Sequence, residues 1–519
     1  MSDNNYHIIT WGCQMNEEDS EQMALYLEQM GYQSVDAPEE ADVVLLNTCS
    51  VRAKPEEKVW SELGRLKDMK REKPSMIIGV CGCMAQVESV EIKRRAPHVD
   101  LVVGTNSIAA IPDMVRRLKT GEKFVSDTVP DTSYADMDFD INAENNNAGS
   151  QSEFQRGNTA EGNKPENQNG TVSTLIPISV LLSRGKKRVT TLTALQLPPR
   201  KGTIVSDVPA RVVERKPKLK AHVPIMYGCD KFCTFCIVPL TRGRERSRPT
   251  VEVLEEIEGL ARQGTREITL LGQTVNSYGK NLPEGRVPFA QLLERINAIR
   301  GIQRIRFTSP YPRDFTDELI DAIGSLEHVC EHMHLPLQVG DDTLLEAMHR
   351  GYTVARYYEI VAALRARVPG IAITTDIMLG YPGETDEQYE NTMRVVRDQR
   401  FDSAFMFAYS PRPNTKAAVM DNQVPKKVKS ERLQALVELQ NDITVEINKS
   451  QVGQVFEVLV EGRSPRDANK LSGYTRTFKM INFTVPESGT RTPDSLIGKL
   501  VPVRATEAHL TGFTGEYAG

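Results

Sequence analysis

Three cysteines crowd into Cys229-Asp-Lys-Phe-Cys233-Thr-Phe-Cys236, a C-x3-C-x2-C run. Three thiolates this close in one loop can take three corners of a single iron–sulfur cubane. Such clusters are normally held by four cysteines, so three leave one iron open to a small molecule. Zinc is the competing chemistry. A closed zinc site takes four ligands, and no His or fourth Cys lies near the run, which favours the cluster. Three further cysteines are evenly placed upstream: Cys13, Cys49 inside Asn47-Thr-Cys-Ser-Val-Arg52, and Cys83 inside Cys81-Gly-Cys-Met-Ala-Gln86. A lone cysteine is usually a small buried hydrophobe. Three at equivalent places ask for another explanation. Cys81 and Cys330 fit core packing, with a lesser option that Cys81 stands in as a ligand.

Each upstream cysteine follows a short apolar run: Tyr6–Trp11, Val43–Asn47 and Met76–Cys81. Helical stretches at Asp19–Met30 and Pro55–Lys70 separate these runs. The alternation predicts βαβ units and a mostly parallel open sheet over 5–122. Strand C-terminal ends in such a sheet converge on one crevice, so Cys13, Cys49 and Cys83 can share one cubane. From 221 to 448 the alternation returns. Strands are expected at Val223–Tyr227, Glu267–Leu271, Arg304–Thr308, His332–Leu335, Ile371–Ile377 and Ser403–Tyr409. Helices are expected at Val251–Gln263, Thr316–Ile323 and Glu387–Arg397. Six βα units predict a closed or partial (β/α)6 barrel, with function at the strand C-terminal ends. Cys229 follows the first of these strands. Over 450–519, Gly453–Glu461, Gly473–Phe483 and Leu500–Glu507 alternate like strands and predict a small antiparallel β-barrel.

Residues 131–220 interrupt this pattern. Asn142–Ser150 and Gly162–Gly170 are polar and poor in aromatics, so a disordered insert is expected. From Ser183 to Lys220, 11 Lys/Arg stand against Asp207 and Glu214; a flexible linker is the first reading and an RNA-touching basic arm the second. The 519 residues carry a net charge of −5, so nucleic-acid contact has to come from local patches. No apolar run approaches the length of a membrane span, and no secretory signal opens the chain. A cytoplasmic protein with reduced cysteines is expected.

The stretch Tyr227-Gly-Cys-Asp-Lys-Phe-Cys-Thr-Phe-Cys-Ile-Val-Pro-Leu-Thr-Arg-Gly-Arg-Glu-Arg-Ser-Arg248 resembles the methylthiotransferase family of radical-SAM enzymes. The resemblance covers about 1–125 and 221–519. It implies two [4Fe–4S] clusters. One, on Cys229, Cys233 and Cys236, chelates S-adenosylmethionine and cleaves it to a 5′-deoxyadenosyl radical. The auxiliary cluster, on Cys13, Cys49 and Cys83, supplies or relays sulfur. The implied substrate is isopentenyl (dimethylallyl) adenosine at position 37, beside the anticodon of tRNA, converted to its 2-methylthio derivative. The resemblance also implies an electron donor of the flavodoxin or ferredoxin type, and a monomer is expected. The alternatives are a methylthiotransferase for threonylcarbamoyladenosine in tRNA or for a ribosomal-protein aspartate, and a non-catalytic iron–sulfur RNA-binding protein.

Other segments match the same family: Leu271–Tyr278, His334–Gln338 and Thr375–Glu384. Strand-end position makes Asn276, Gln338 and Asp376 candidate contacts for S-adenosylmethionine or substrate. The family's Gln-Ser-Gly stands here as Gln338-Val-Gly340, without the serine hydroxyl. Arg242, Arg244, Arg246 and Arg248 adjoin the cysteine loop, as a phosphate clamp or as a solvated loop paired through Glu245. The C-terminal segment resembles the TRAM domain, an OB-like RNA-binding module. Alternation would put Arg476, Phe478 and Met480 on one face and Lys479 on the other, with Arg476 and Lys479 as RNA contacts. Its 8 Lys/Arg and 7 Asp/Glu nearly balance, so composition alone does not point to RNA.

Overall fold

The computed structural model describes residues 4–50, 53–128, 211, 215, 217–282, 284–486 and 492–519. The insert expected over 131–220, with its basic arm, lies outside the described residues except at Arg211, Arg215 and 217–220.

The first segment runs β1 (Asn5–Trp11), α1 (Gln14–Gln29), β2 (Gln33–Ser34), β3 (Val43–Thr48), α2 (Ala53–Glu72), β4 (Ile77–Gly82), α3 (Cys83–Arg95), β5 (Leu101–Val103), α4 (Ile111–Lys119) and β6 (Val125–Asp127). Its sheet has the order β2-β1-β3-β4-β5-β6, parallel throughout. Every residue of β3 is buried. Helices cover both faces, which is why Val43-Val-Leu-Leu is a continuous apolar run and not an alternating one. Val43 and Leu45 join Met23 and Leu27 on one face; Val44 and Leu46 join Val59 and Leu63 on the other. Strand order reverses between β1 and β3, and ligand crevices form outside the strand ends at such a point. Cys13 and Cys49 stand there. Helix α1 starts earlier than the expected Asp19, because Cys13 itself is the N-cap: its carbonyl accepts from the amides of Asn16 at 2.8 Å and Glu17 at 3.1 Å.

The second segment holds β7 (Lys220–Pro224), β8 (Met226–Tyr227), α5 (Val238–Arg242), β9 (Arg246–Ser247), α6 (Thr250–Arg262), β10 (Glu267–Leu271), α7 (Phe289–Asn297), β11 (Arg304–Phe307) and α8 (Asp317–Ser325). It continues with β12 (His332–His334), α9 (Asp342–Ala347), α10 (Val354–Arg367), β13 (Ala372–Leu379), α11 (Asp386–Gln399), β14 (Ser403–Ala408) and α12 (Lys426–Ser450). Parallel sheets β11-β10-β7 and β12-β13-β14 join through a parallel bridge between Ile305 and Val329, giving a partial six-strand barrel with β7 and β14 as its edges. The expected strand Val223–Tyr227 is split: Pro224 ends β7, and β8 turns away to pair with β9. Thr316, Asp341, Thr353 and Thr385 cap α8 to α11 with side-chain oxygens, which stabilises helix starts by about 1 kcal/mol each.

The last segment is a closed barrel of β15 (Val455–Ser464), β16 (Asp467–Thr475), β17 (Met480–Thr484), β18 (Leu500–His509) and β19 (Gly512–Tyr517), in the order β15-β16-β17-β19-β18. Two expectations are corrected here. The barrel is not wholly antiparallel, since β17 and β19 run parallel. Gly473–Phe483 is not one strand but a hairpin. Phe478 takes φ +62°, and Thr475 accepts from the amides of Phe478 and Lys479 at 3.1 and 3.0 Å. Alternation therefore fails across Arg476, Phe478 and Met480. The hairpin tip seats on the barrel base. Arg304 and Arg306 donate to the carbonyls of Tyr474, Thr475 and Arg476 at 2.7–2.8 Å, and the Phe478 ring lies 5.1 Å from the His332 ring.

Candidate active site

The cysteine loop leaves β8 through Gly228, at φ +74°. A Cβ there would overlap the carbonyl oxygens of Gly243 and Arg244, so only glycine fits. The returning β9 strand packs against the loop: Cys229 N–H donates to the Gly243 carbonyl at 3.1 Å, and Arg244 Nε donates to Asp230 at 2.8 Å. From the barrel side, Lys231 pairs with Asp314, and Thr234 bonds Tyr381 Oη at 2.7 Å. Burial pushes the Cys229 thiol well above its usual range, with Cys233 and Cys236 adding to it, and pushes Cys236 up to about 12. Burial of this kind disfavours the thiolate that metal binding needs, and the positive charge of iron in a cubane would offset it.

The other triad stands at three parallel strand ends. Gly82, at φ +88°, turns β4 directly into α3, so Cys83 is the first residue of the helix. Cys49 and Cys83 are buried, and Cys13 faces out. The Cys49 thiol hydrogen-bonds both neighbours. It holds Cys13 down to about 5 and Cys83 down to about 7, and is itself pushed well above its usual range. The Arg242 guanidinium lowers Cys13 and Cys83 further. Thiolate, not thiol, is the ligand form. A cubane distributes its ligands over separate irons, and each set supplies three thiols, one short of the four that a closed zinc site takes, so both donor sets suit a cluster better than a zinc ion.

The elements that carry the two triads pack together: helix α3, which starts at Cys83, lies on α5, which follows Cys236. Arg242 on α5 bonds Asp19 on α1 at 2.6 Å, and Arg246 donates to Asn106 at 3.1 Å. A second contact is a buried charge cluster. Arg211 bonds Glu18 at 2.6 Å and Tyr227 Oη at 2.8 Å; Arg215 pairs with Glu256; Arg248 bonds Glu256 at 2.7 Å. Burial raises Glu256, but the three arginines more than offset it and hold its carboxyl below the usual range.

Three family models match the chain: the uncharacterized protein family UPF0004 at residues 5–104, the radical SAM superfamily at 223–396 and the TRAM domain at 449–516. The tRNA-2-methylthio-N(6)-dimethylallyladenosine synthase of Carboxydothermus hydrogenoformans is 42% identical over 519 residues, 99% of each chain. The chain belongs to this synthase family. The same-named proteins of Moorella thermoacetica and Alkaliphilus oremlandii are 41% and 42% identical, each over 98% of this chain and over 98% and 92% of theirs. Membership makes the protein a radical-SAM methylthiotransferase that uses S-adenosylmethionine and iron–sulfur clusters. No helix among the described residues is long and apolar enough to cross a membrane.

The family's arginines sit differently from the expectation of an RNA clamp. Arg242 and Arg248 are buried and engaged with Asp19 and Glu256. This corrects their reading as phosphate contacts: a guanidinium inside the protein cannot reach a backbone phosphate. Arg244 and Arg246 are half-buried on Asp230 and Asn106. Arg476 pairs with Glu331 at 2.6 Å, and Lys479 with Asp402 at 2.7 Å and Asn448 at 2.9 Å. Both therefore join the C-terminal barrel to the central one. Asn276 uses both amide ends on the Tyr311 backbone, at 2.7 and 3.0 Å, and so positions that loop. Gln338, at φ +73°, bridges to Ile377 between β12 and β13, and Asp376 faces His334 at 3.4 Å. Cys81 and Cys330 are packed in the interior. Glu18, Asp19, Glu256, Arg211 and Arg215 form buried ion pairs between the first two segments that sequence reading missed. The available signal was weak: adjacent acids in a helix opening right after Cys13.

Proposed function

We propose that Cys229, Cys233 and Cys236 hold the cluster that binds S-adenosylmethionine, and that Cys13, Cys49 and Cys83 hold the sulfur-donating cluster. The reaction converts N6-dimethylallyladenosine of tRNA to its 2-methylthio derivative. What supports this reading is the packing of α5, the helix that follows Cys236, on α3, the helix that starts at Cys83. When bound, the cofactors supply the radical chemistry that an unactivated aromatic C–H bond requires. The chain's own residues do the rest. Gly228 and Arg244 fix the cysteine loop, Lys231 and Thr234 anchor its far side, and the Arg242–Asp19 pair sets the distance between triads. Holding the reacting groups close replaces an encounter with a positioned step. The adenosine enters from the mouth formed by the strand C-terminal ends. A reading of the protein as cytoplasmic and monomeric, fed by a flavodoxin- or ferredoxin-type donor, fits the chain.

The test separates the triads. Reconstituted protein is expected to hold about eight irons, about four per cubane. Alanine at Cys13, Cys49 and Cys83 leaves about four irons and SAM cleavage to 5′-deoxyadenosine, with no methylthio product on dimethylallylated tRNA. Alanine at Cys229, Cys233 and Cys236 also leaves about four irons but abolishes SAM cleavage and product formation. Product at the wild-type rate from the first variant would overturn the assignment.

A further inference from the structure

Arg350 lies between α9 and α10, 6% exposed, and its Nη1 donates to Cys233 Sγ at 3.3 Å. Its Nε donates to Tyr352 Oη at 3.1 Å. Its guanidinium stands 4.7 Å from the Tyr311 ring and 5.4 Å from the Tyr352 ring. The Tyr311 hydroxyl donates to its carbonyl, and Tyr352 Oη donates onward to Leu337 at 2.8 Å. A buried arginine ordinarily has a carboxylate. Every other buried arginine of the described residues does, among them Arg242 with Asp19, Arg248 with Glu256, Arg412 with Glu56 and Arg432 with Glu384. Arg350 has two phenols, a distant carbonyl and one sulfur. An isolated buried cation costs several kcal/mol, so this one lacks its anion.

The geometry points to Arg350 as a positioning residue that tunes the barrel cluster. Its guanidinium donates a charge-assisted hydrogen bond to the Cys233 ligand sulfur and compensates the negative charge that three thiolates bring. Hydrogen bonds to ligand sulfurs, net charge and solvent exposure set iron–sulfur reduction potentials. A fixed cation at Cys233 favours the reduced cluster, which carries one more negative charge. Tyr311 and Tyr352 hold the guanidinium plane and keep water from it. The inference rests on the assignment of Cys229, Cys233 and Cys236 as cluster ligands.

The test uses full-length protein with Cys13, Cys49 and Cys83 replaced by alanine, so that one cluster is read alone. Arg350→Gln, Arg350→Lys and Tyr352→Phe are each reconstituted anaerobically and titrated by EPR without S-adenosylmethionine. Arg350→Gln is expected to lose at least tenfold in the reduced-to-oxidised ratio at a fixed applied potential. Arg350→Lys recovers part of that loss, because charge returns without the fork. Tyr352→Phe, which keeps the ring and the sulfur bond but removes the Nε partner, is expected to shift the ratio in the same direction by less than Arg350→Gln, and iron content of each variant controls for folding. An unchanged potential in Arg350→Gln at full iron content overturns the inference. So does a potential unchanged without S-adenosylmethionine alongside weakened binding of it, which would assign the guanidinium to the cofactor's carboxylate. Absence of any cluster in the parent protein would instead refute the ligand assignment.

Discussion

Arg242 donates to Asp19 at 2.6 Å, and the pair ties the helix after Cys236 to the helix after Cys13. Both groups are buried. Breaking such a pair on one side typically costs about 3–5 kcal/mol, because the survivor is left uncompensated. Arg242→Met and Asp19→Asn are each expected to lower stability on this scale. The double variant loses less than the sum. Calorimetry of the four proteins measures the coupling. In Arg242→Met, product formation on tRNA falls more than SAM cleavage, because the barrel triad keeps its own supports while the spacing between triads loosens.

Arg248 offers a check on where RNA contacts lie. Its partners are Glu256 at 2.7 Å and the Pro224 carbonyl at 2.7 Å. Arg248→Met should destabilise by a few kcal/mol and leave tRNA affinity of the folded protein unchanged in gel-shift titrations. Selective loss of tRNA binding at an unchanged melting temperature would return Arg248 to the RNA surface.

Gly228→Ala tests the loop's entry. The new Cβ meets two backbone carbonyls, and the residue needs φ +74°. The loop has to shift, and Cys229 shifts with it. Iron content is expected to drop from about eight to about four per chain, with the auxiliary cluster retained. Full loading of both clusters would show that the loop tolerates the side chain.

The base of the central barrel carries a pH dependence. Burial against Phe478, together with Arg306, His334 and Lys479, holds His332 well below its usual value of about 6.5. The unfolded chain binds this proton near pH 6.5 and the folded one does not. Stability from this group is therefore complete above pH 6.5 and lost as pH falls below it, by about 1.4 kcal/mol per unit. His332→Phe keeps the ring contact with Phe478 and removes the proton. Its melting temperature should decline less than the wild type's between pH 6.5 and 5.

Much of this was legible because local patterns carry it. Val43-Val-Leu-Leu marks a buried strand of a parallel sheet, and the alternation of apolar runs with helical stretches marks the six-strand barrel. The Cys229–Cys236 spacing marks a cluster loop. What stayed hidden depends on partners distant in sequence. Arg242 and Arg248 look like a surface clamp until Asp19 and Glu256 are seen beside them. Phe478 falls into a plausible alternating strand, and only its left-handed backbone, required by a tight hairpin, reverses the chain there. Arg350 carries no sequence signal at all, because its meaning lies in the carboxylate it lacks.

The buried charge cluster has a consequence for synthesis. Glu18 and Asp19 leave the ribosome early, on a domain whose sheet closes by residue 127. Their partners, Arg211, Arg215 and Arg242, are made later, once that domain has had time to fold as a unit. Until then both carboxylates stay hydrated, and the face around Cys13 has nothing to dock on. Assembly of this interface therefore has a direction: the N-terminal half waits open and closes when the later arginines arrive.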